Sequence, residues 1–367
     1  SEGYTSPNLE TYPWQWLWDS CFHALVWNHL GRPDRAVVEL SSALEPIDGD
    51  GFVPHMRYPS DPEFAAEFWG RSATSSITQP PMYGHELAEL HRAGVELDVG
   101  LLDRASNGLR FLLERRSRTA GLVTVVHPWE TGCDDSPRWD HWSPGAYDRD
   151  RFRALKGELL GSVERTEAGA PVGNPAFAPG SAGFNALVAF NAIELASVTG
   201  DHALASAATE LVSALTDRWD DETSSWVDAG PHAATSGRCR TADSLLGVLV
   251  VDDERTIDAA FAELADPASL GGDFGPAGVD RREAAFDPDA YWRGPCWPQL
   301  AYLLWLAAVR RGRTEDADRL ATTTRRGAHE SGLAEYWNPD TGRGGGATPQ
   351  SWATLALLLT DDPTTTR

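Results

Sequence analysis

A chain of 367 residues with 31 basic and 54 acidic side chains has a formal charge of −23, which repels the polyanions that nucleic acids and anionic membrane surfaces present. Its 41% hydrophobic and 10% aromatic content supports a sizeable core and excludes a mainly disordered chain. No run reaches the eighteen or so consecutive apolar residues of a membrane span, and Ser1 to Glu10 lacks a basic-then-apolar signal pattern, so a globular, cytoplasmic protein with no membrane or nucleic-acid partner is expected.

Lys156 is the single lysine among the basic residues, the rest being arginines, a bias that a GC-rich genome or a high-salt cytoplasm would each produce. Cys21, Cys133, Cys239 and Cys296 are scattered with no C-x-x-C pair. Reduced thiols, no metal site and no cofactor are therefore expected.

Apolar residues recurring three and four apart predict helices over 18–31, 34–46, 80–94, 97–118, 147–163, 181–199, 201–219, 241–251, 253–266, 296–312, 314–329 and 349–360. Turn chemistry at Gly31-Arg32-Pro33-Asp34, Gly200-Asp201 and Gly312-Arg313-Thr314 joins several of them as hairpins. The run from Ala182 to Val198 is apolar nearly all round, as a helix buried on two sides must be. Twelve helices in successive hairpins, with no 34- or 40-residue repeat, fit a closed toroid of six inner and six outer helices. The expected fold is all-α, a single (α/α)6 barrel domain over 1–367.

Unequal loops at 1–17, 47–79, 119–146, 164–180, 270–295 and 335–348 are rich in Gly, Pro, Trp, Asp and Arg. Long loops in a compact domain usually carry function. Ten of the fifteen tryptophans fall in four stretches: Trp14, Trp16 and Trp18; Trp129, Trp139 and Trp142; Trp292 and Trp297; Trp337 and Trp352. Indoles beside carboxylates and amides suit a sugar, which has an apolar C–H face to stack and hydroxyls to bond. Core packing at loop bases would account for about half of them. Two carboxylates from distant segments would supply glycoside hydrolysis, one protonating the leaving oxygen and the other activating water or attacking. Residue pattern alone leaves the pair open.

The stretches Tyr12 to Asp19, Pro128 to Asp140, Tyr291 to Pro298 and Glu335 to Gly342 occur in an order that resembles glycoside hydrolase family 63 and its trehalase-like relatives. The likeness is strongest to the branch of glucosylglycerate and mannosylglycerate hydrolases, and it spans the chain from Tyr12 to Trp352. It implies an (α/α)6 barrel and an inverting α-glycosidase of a small α-glucoside, with glucosylglycerate or mannosylglycerate the expected substrate. Glu-Thr-Gly-Cys-Asp resembles the family's Glu-Ser-Gly-x-Asp and implies Asp134 as general acid. Glu335, opening Glu-Tyr-Trp-Asn-Pro-Asp-Thr-Gly, is implied as general base. The same resemblance implies substrate contacts from Tyr12, Trp16, Trp18, Asp19, Gln79, Trp129, Trp292, Gly294 and Trp297, with Tyr291 and Gln350 toward the leaving group.

A dry setting between Trp129 and Trp139 would raise the pKa of Asp134, as an acid protonated near neutrality requires. An inverting pair should stand roughly 6.5 to 9.5 Å apart. In the rival readings Asp135 is the acid and Asp134 a helix cap, or Glu130 is the acid rather than a loop-orienting residue, while Asp140 and Asp289 are expected to be ion-paired. The stretch from Trp139 to Tyr147 is short where glycerate-cleaving members of the resembled family carry an arginine for the glycerate carboxylate. His141 stands nearest, Arg57, Arg71, Arg165 and Arg343 are the candidate replacements, and the loop at 57–72 is a candidate lid. A neutral α-glucoside such as trehalose is the alternative substrate, and a non-catalytic sugar-binding toroid the alternative class. Terpene-cyclase and lanthionine-cyclase toroids lack their acid or zinc patterns here. The acidic loop at Asp287-Pro-Asp289 carries solvent rather than calcium in this reading.

Overall fold

The structure, a computed structural model, describes residues 3–47, 49–143 and 145–360. Among the described residues, eleven α-helices run α1 Leu17–His29, α2 Pro33–Ala43, α3 Pro62–Trp69, α4 Tyr83–Arg92, α5 Val99–Arg110, α6 Arg149–Gly161, α7 Ala182–Thr199, α8 His202–Thr216, α9 Glu254–Ala265, α10 Pro298–Arg310 and α11 Thr314–Glu330. Two longer 3-10 segments, Ala242–Leu249 and Ser351–Leu357, complete the set. Short strands in the same residues pair as five two-stranded antiparallel ladders.

The inner ring closes in the order α1, α4, α7, Ala242–Leu249, α10, Ser351–Leu357 and back to α1. Around it stand α2, α5, α8, α9 and α11, each packed on an inner neighbour. The toroid expected from the sequence is therefore present with its six inner members, two of them wound as 3-10 rather than α-helix, but among the described residues with five outer helices where six were expected. The predicted helix at 147–163 is α6, but it belongs to the loop layer. There the His127 ring bonds the Lys156 carbonyl at 2.9 Å, and the Asn174 amide donates to the Leu159 carbonyl at 2.9 Å.

Inner helices are buried on both sides because each touches two ring neighbours and an outer helix, which removes the polar face a surface helix keeps. In α7, fourteen of eighteen positions are buried. That helix is long and apolar enough to cross a membrane, yet 78% of it lies inside the protein. Predicted hairpins hold at all three places: α1 turns into α2 through Leu30–Arg32, α7 into α8 through Gly200, and α10 into α11 through Arg311–Arg313. Asp201 caps α8, its carboxylate accepting from the Leu204 N–H at 3.1 Å.

The loops gather over the N-terminal ends of inner elements. Trp16 precedes α1, Trp297 precedes α10, and Gln350 precedes Ser351–Leu357. A second small core of Met56, Tyr58, Ala65, Trp69, Ile77 and Val126 stabilises this layer, with Trp14, Trp16 and Trp129 packed on it. It contains α3, a helix in the segment expected to be a structureless loop.

Candidate active site

A cavity of about 340 Å³ opens in the loop layer. The segment Tyr12–Asp19 enters along the ladder Gln15–Trp16 against Met56–Arg57 and places Tyr12, Trp14, Trp16, Trp18 and Asp19 in the cavity wall. Gln79, Trp129, Gly132 and Asp134 come from the segments before α4 and α6, Tyr291 and Trp292 from that before α10, and Glu335, Gln350 and Trp352 from the C-terminal segments.

Asp134 follows the one-turn 3-10 helix Pro128–Thr131. The Thr131 hydroxyl donates to the Pro128 carbonyl at 2.8 Å and accepts from the Cys133 N–H at 3.1 Å, and the Trp139 indole donates to the Cys133 carbonyl at 2.8 Å. Gly132 sits at φ +73° with its α-carbon against Trp18, where a β-carbon would stand 2.3 Å from the indole. These contacts aim the carboxyl into the cavity. Burial pushes it up to about 7, with the charges of Asp135 and Glu335 helping, and Lys156 and the Tyr291 hydroxyl at 3.4 Å opposing.

Glu335 is held from three sides. Its backbone N–H donates to the Ala347 carbonyl, the Ala347 N–H returns a bond to the carboxylate at 2.9 Å, and the Tyr12 hydroxyl donates to both oxygens at 3.0 and 3.2 Å. Burial raises its pKa, and the bonds from Ala347 and Tyr12 pull it back. At Gly346, φ is +73° and a β-carbon would stand 2.2 Å from the Glu335 carboxylate, so only glycine leaves the acid its place.

The third carboxyl, Asp19 on the first turn of α1, is also pushed up to about 7 by burial, with the charge of Glu335 adding to the shift and His23 opposing it. Trp292 has φ +58°, a strained value for a large side chain. Its ring stacks on Trp297 at 3.6 Å and 5°. The indole N–H of Trp16 is buried without a partner inside the protein, which leaves it as a donor for a ligand, while that of Trp292 lies against the Tyr291 hydroxyl.

The expected site residues Tyr12, Trp16, Trp18, Asp19, Gln79, Trp129, Asp134, Tyr291, Trp292, Glu335 and Gln350 thus surround one cavity. Trp297 and Gly294 do not line it. Trp297 lies behind Trp292 as its stacking support. Gly294 packs where a β-carbon would meet the Asp287 carbonyl at 2.4 Å, so it shapes the loop behind the wall.

The rival acids are all engaged elsewhere. Asp135 pairs with Lys156 and accepts from the Tyr147 hydroxyl at 2.9 Å. Glu130 is fully buried against Arg116 and accepts from the Thr78 and Val126 N–H groups. Asp140 is bridged by Arg293 and Asp289 by Arg343, as expected.

The candidate carboxylate readers are also occupied. Arg57 donates to the Ser42 carbonyl and Glu45, Arg165 to Ser76, Arg343 to Asp289, and Arg71 to Thr74 and the Ala168 carbonyl. His141 packs near His232, away from the cavity. The sequence reading placed a candidate lid at 57–72 without assigning its aromatics; in the structure Tyr58, Phe64, Phe68 and Trp69 of that segment, with His55 and Met56, form a wall of the cavity. Its signal was present in Asp61-Pro62 before, and Gly70 after, the aromatic run of α3.

Among known proteins, the family model of the mannosylglycerate hydrolase MGH1-like glycoside hydrolase domain matches residues 12–353. A mannosylglycerate hydrolase of Rubrobacter radiotolerans is 28% identical, the alignment covering 97% of this chain and 92% of that one. A glucosylglycerate hydrolase of Mycolicibacterium hassiacum is also 28% identical, over 95% and 91% of the two chains. The family 63 mannosylglycerate hydrolase of Thermus thermophilus, solved in complex with glucose, superposes with a TM-score of 0.79 at 26% identity, over 97% of this chain and 95% of that one. With a family match across nearly its whole length, this chain belongs to the MGH1-like glycoside hydrolases of family 63 and is a glycoside hydrolase.

Proposed function

We propose that the protein hydrolyses a small α-glycoside with inversion, Asp134 serving as general acid and Glu335 as general base. The observation that carries this reading is a carboxyl held protonated near neutrality in the wall of the same cavity as a second, hydrogen-bonded carboxylate. Asp134 gives its proton to the glycosidic oxygen as that bond breaks. A water on the opposite face attacks the anomeric carbon and loses its proton to Glu335. Tyr12 and the Ala347 N–H keep Glu335 oriented, while Trp16, Gln79, Gln350 and Asp19 bond sugar hydroxyls. Trp18 and Trp129 offer stacking faces. This chemistry needs no metal or cofactor.

The names of the relatives favour glucosylglycerate or mannosylglycerate as substrate. One observation favours the second reading, a neutral α-glucoside: among the described residues, no arginine or lysine lines the cavity. Hydrolysis of a panel of α-glucosides and α-mannosides by the purified protein tests the assignment. Turnover that disappears in both Asp134→Asn and Glu335→Gln supports it. Sugar binding without turnover of any panel member would favour a sugar-binding toroid.

A further inference from the structure

Behind the cavity runs a buried chain of polar groups that the proposed mechanism does not use. Asp19 and His23 stand one turn apart on α1, on the same face of the helix. The Nδ1 of His23 lies 3.4 Å from the Glu39 carboxylate of α2, and its Nε2 lies 2.5 Å from the Ser351 hydroxyl. Asp19, His23 and Glu39 are all buried.

Glu39 is anchored without help from His23. Its carboxylate accepts from the Thr5 N–H at 2.8 Å, the Thr5 hydroxyl at 2.9 Å and the Ser20 hydroxyl at 2.8 Å. Thr5 is held in turn by the Trp27 indole, which donates to its hydroxyl at 3.0 Å. On the other side, Ser351 follows Gln350, whose side chain lines the cavity and accepts from the Ser351 N–H at 2.8 Å. The imidazole is therefore fixed between α1, α2 and the inner 3-10 element. A buried acid and base pair stabilises a fold no better than apolar residues of the same size, so its place directly behind a cavity carboxyl calls for another reason.

The carboxyl it backs is under pressure to take a proton. Asp19 is pushed up by burial and by the charges of Glu335 and Glu39, and His23 is the neighbour that opposes them most. Tyr12 and Cys21 hold their protons, their pKa values raised by burial, and Glu86 of α4, which acts on Cys21, is raised well above the usual carboxyl range. None of these three supplies a positive charge. Ionised, the Asp19 carboxylate accepts from sugar hydroxyls at both oxygens, and those bonds are about twice as strong as the ones a neutral acid makes.

We infer that His23, anchored by Glu39 and Ser351, is a positioning residue for substrate binding that keeps Asp19 in the carboxylate form that accepts the sugar hydroxyls. The inference rests on the proposed glycosidase reading, which gives Asp19 those hydroxyls, and adds what holds the carboxyl in its binding form. His23 touches no substrate and acts through Asp19.

The test follows kcat and KM for glucosylglycerate and mannosylglycerate between about pH 5.5 and 8.5 in the unmodified enzyme, in His23→Gln and in Ser351→Ala, a smaller change that removes one tether of the ring and keeps the proposal testable if His23→Gln does not fold. Near neutral pH, His23→Gln is expected to raise KM at least about tenfold, the scale of a hydrogen bond to a charged group, while kcat changes far less. The pH below which KM climbs is expected to move upward, with KM returning toward the unmodified value on the alkaline side, because protonation of Asp19 is what weakens binding. Ser351→Ala should move the same step in the same direction by less. A KM unchanged in both variants, or raised by the same factor at every pH as a merely structural defect would do, overturns the role of His23 while leaving the hydrolase in place. Absence of turnover by the unmodified enzyme on a full panel of α-glucosides and α-mannosides overturns the glycosidase reading, and this inference with it.

Discussion

The Tyr12 hydroxyl donates to both carboxylate oxygens of Glu335, at 3.0 and 3.2 Å, across 323 positions of sequence. It ties the first aromatic motif to the last and pulls down the pKa that burial raises. A base must be ionised to work, so this bond widens the working range on the acid side. Tyr12→Phe is expected to shift the ascending limb of the kcat/KM profile to higher pH and to lower activity on the acid side of the profile. An unshifted limb would remove Tyr12 from this role.

In the proposed mechanism the descending limb on the alkaline side follows Asp134, whose pKa burial raises to about 7. Lys156 opposes that raised value, while the nearby Asp135 supports it. Lys156→Met removes the cation and frees Asp135 of its partner, and both changes favour the protonated form of Asp134. The descending limb is expected to move to higher pH, and the measurement is a kcat/KM profile across pH 6 to 9. A shift to lower pH would show that another group controls the limb.

A carboxyl whose pKa is raised by folding costs stability as pH rises from its unfolded value of about 4 through its folded value, and the full cost is present above that window. Asp134, at about 7, therefore weakens the fold at pH 8 and costs nothing near pH 4. Asp134→Asn is expected to raise Tm at pH 8 by at least about 2 °C while abolishing turnover, with the gain fading toward pH 4. Thermal unfolding of both proteins at the two pH values checks this.

Gly346 is exposed, yet a β-carbon there would stand 2.2 Å from the buried Glu335 carboxylate. Gly346→Ala is expected to lower kcat by about 100-fold, in line with the cost of displacing a catalytic group by about 1 Å. KM should change far less. Far-UV circular dichroism checks that the fold is kept.

Helical periodicity made the toroid readable because α1, α7 and α10 bury nearly every position, and their hairpins turn at glycine. It could not show that Ala242–Leu249 and Ser351–Leu357 wind as 3-10, since so short an apolar run satisfies both periods. Nor could it show that α6 leaves the ring, because its apolar positions serve the loop layer as well as they would a barrel. At the site, motifs with polar residues beside tryptophan pointed to the cavity. Trp297 and Gly294 of the same motif lie outside the cavity wall, where they support Trp292 and the Asp287 turn. The wall on α3 went unread because Gly, Pro and Arg around it suggest loop, although Asp61 caps the helix through the Phe64 N–H at 3.3 Å.

The most direct test of an Asp134–Glu335 inverting pair is the configuration of the sugar at the instant of release, followed by proton NMR of the anomeric signal during hydrolysis of an α-glycoside. The β-anomer is predicted to appear first, with the α-anomer growing in only at the rate of mutarotation. The α-anomer appearing first, or turnover that persists in Asp134→Asn, would contradict the account.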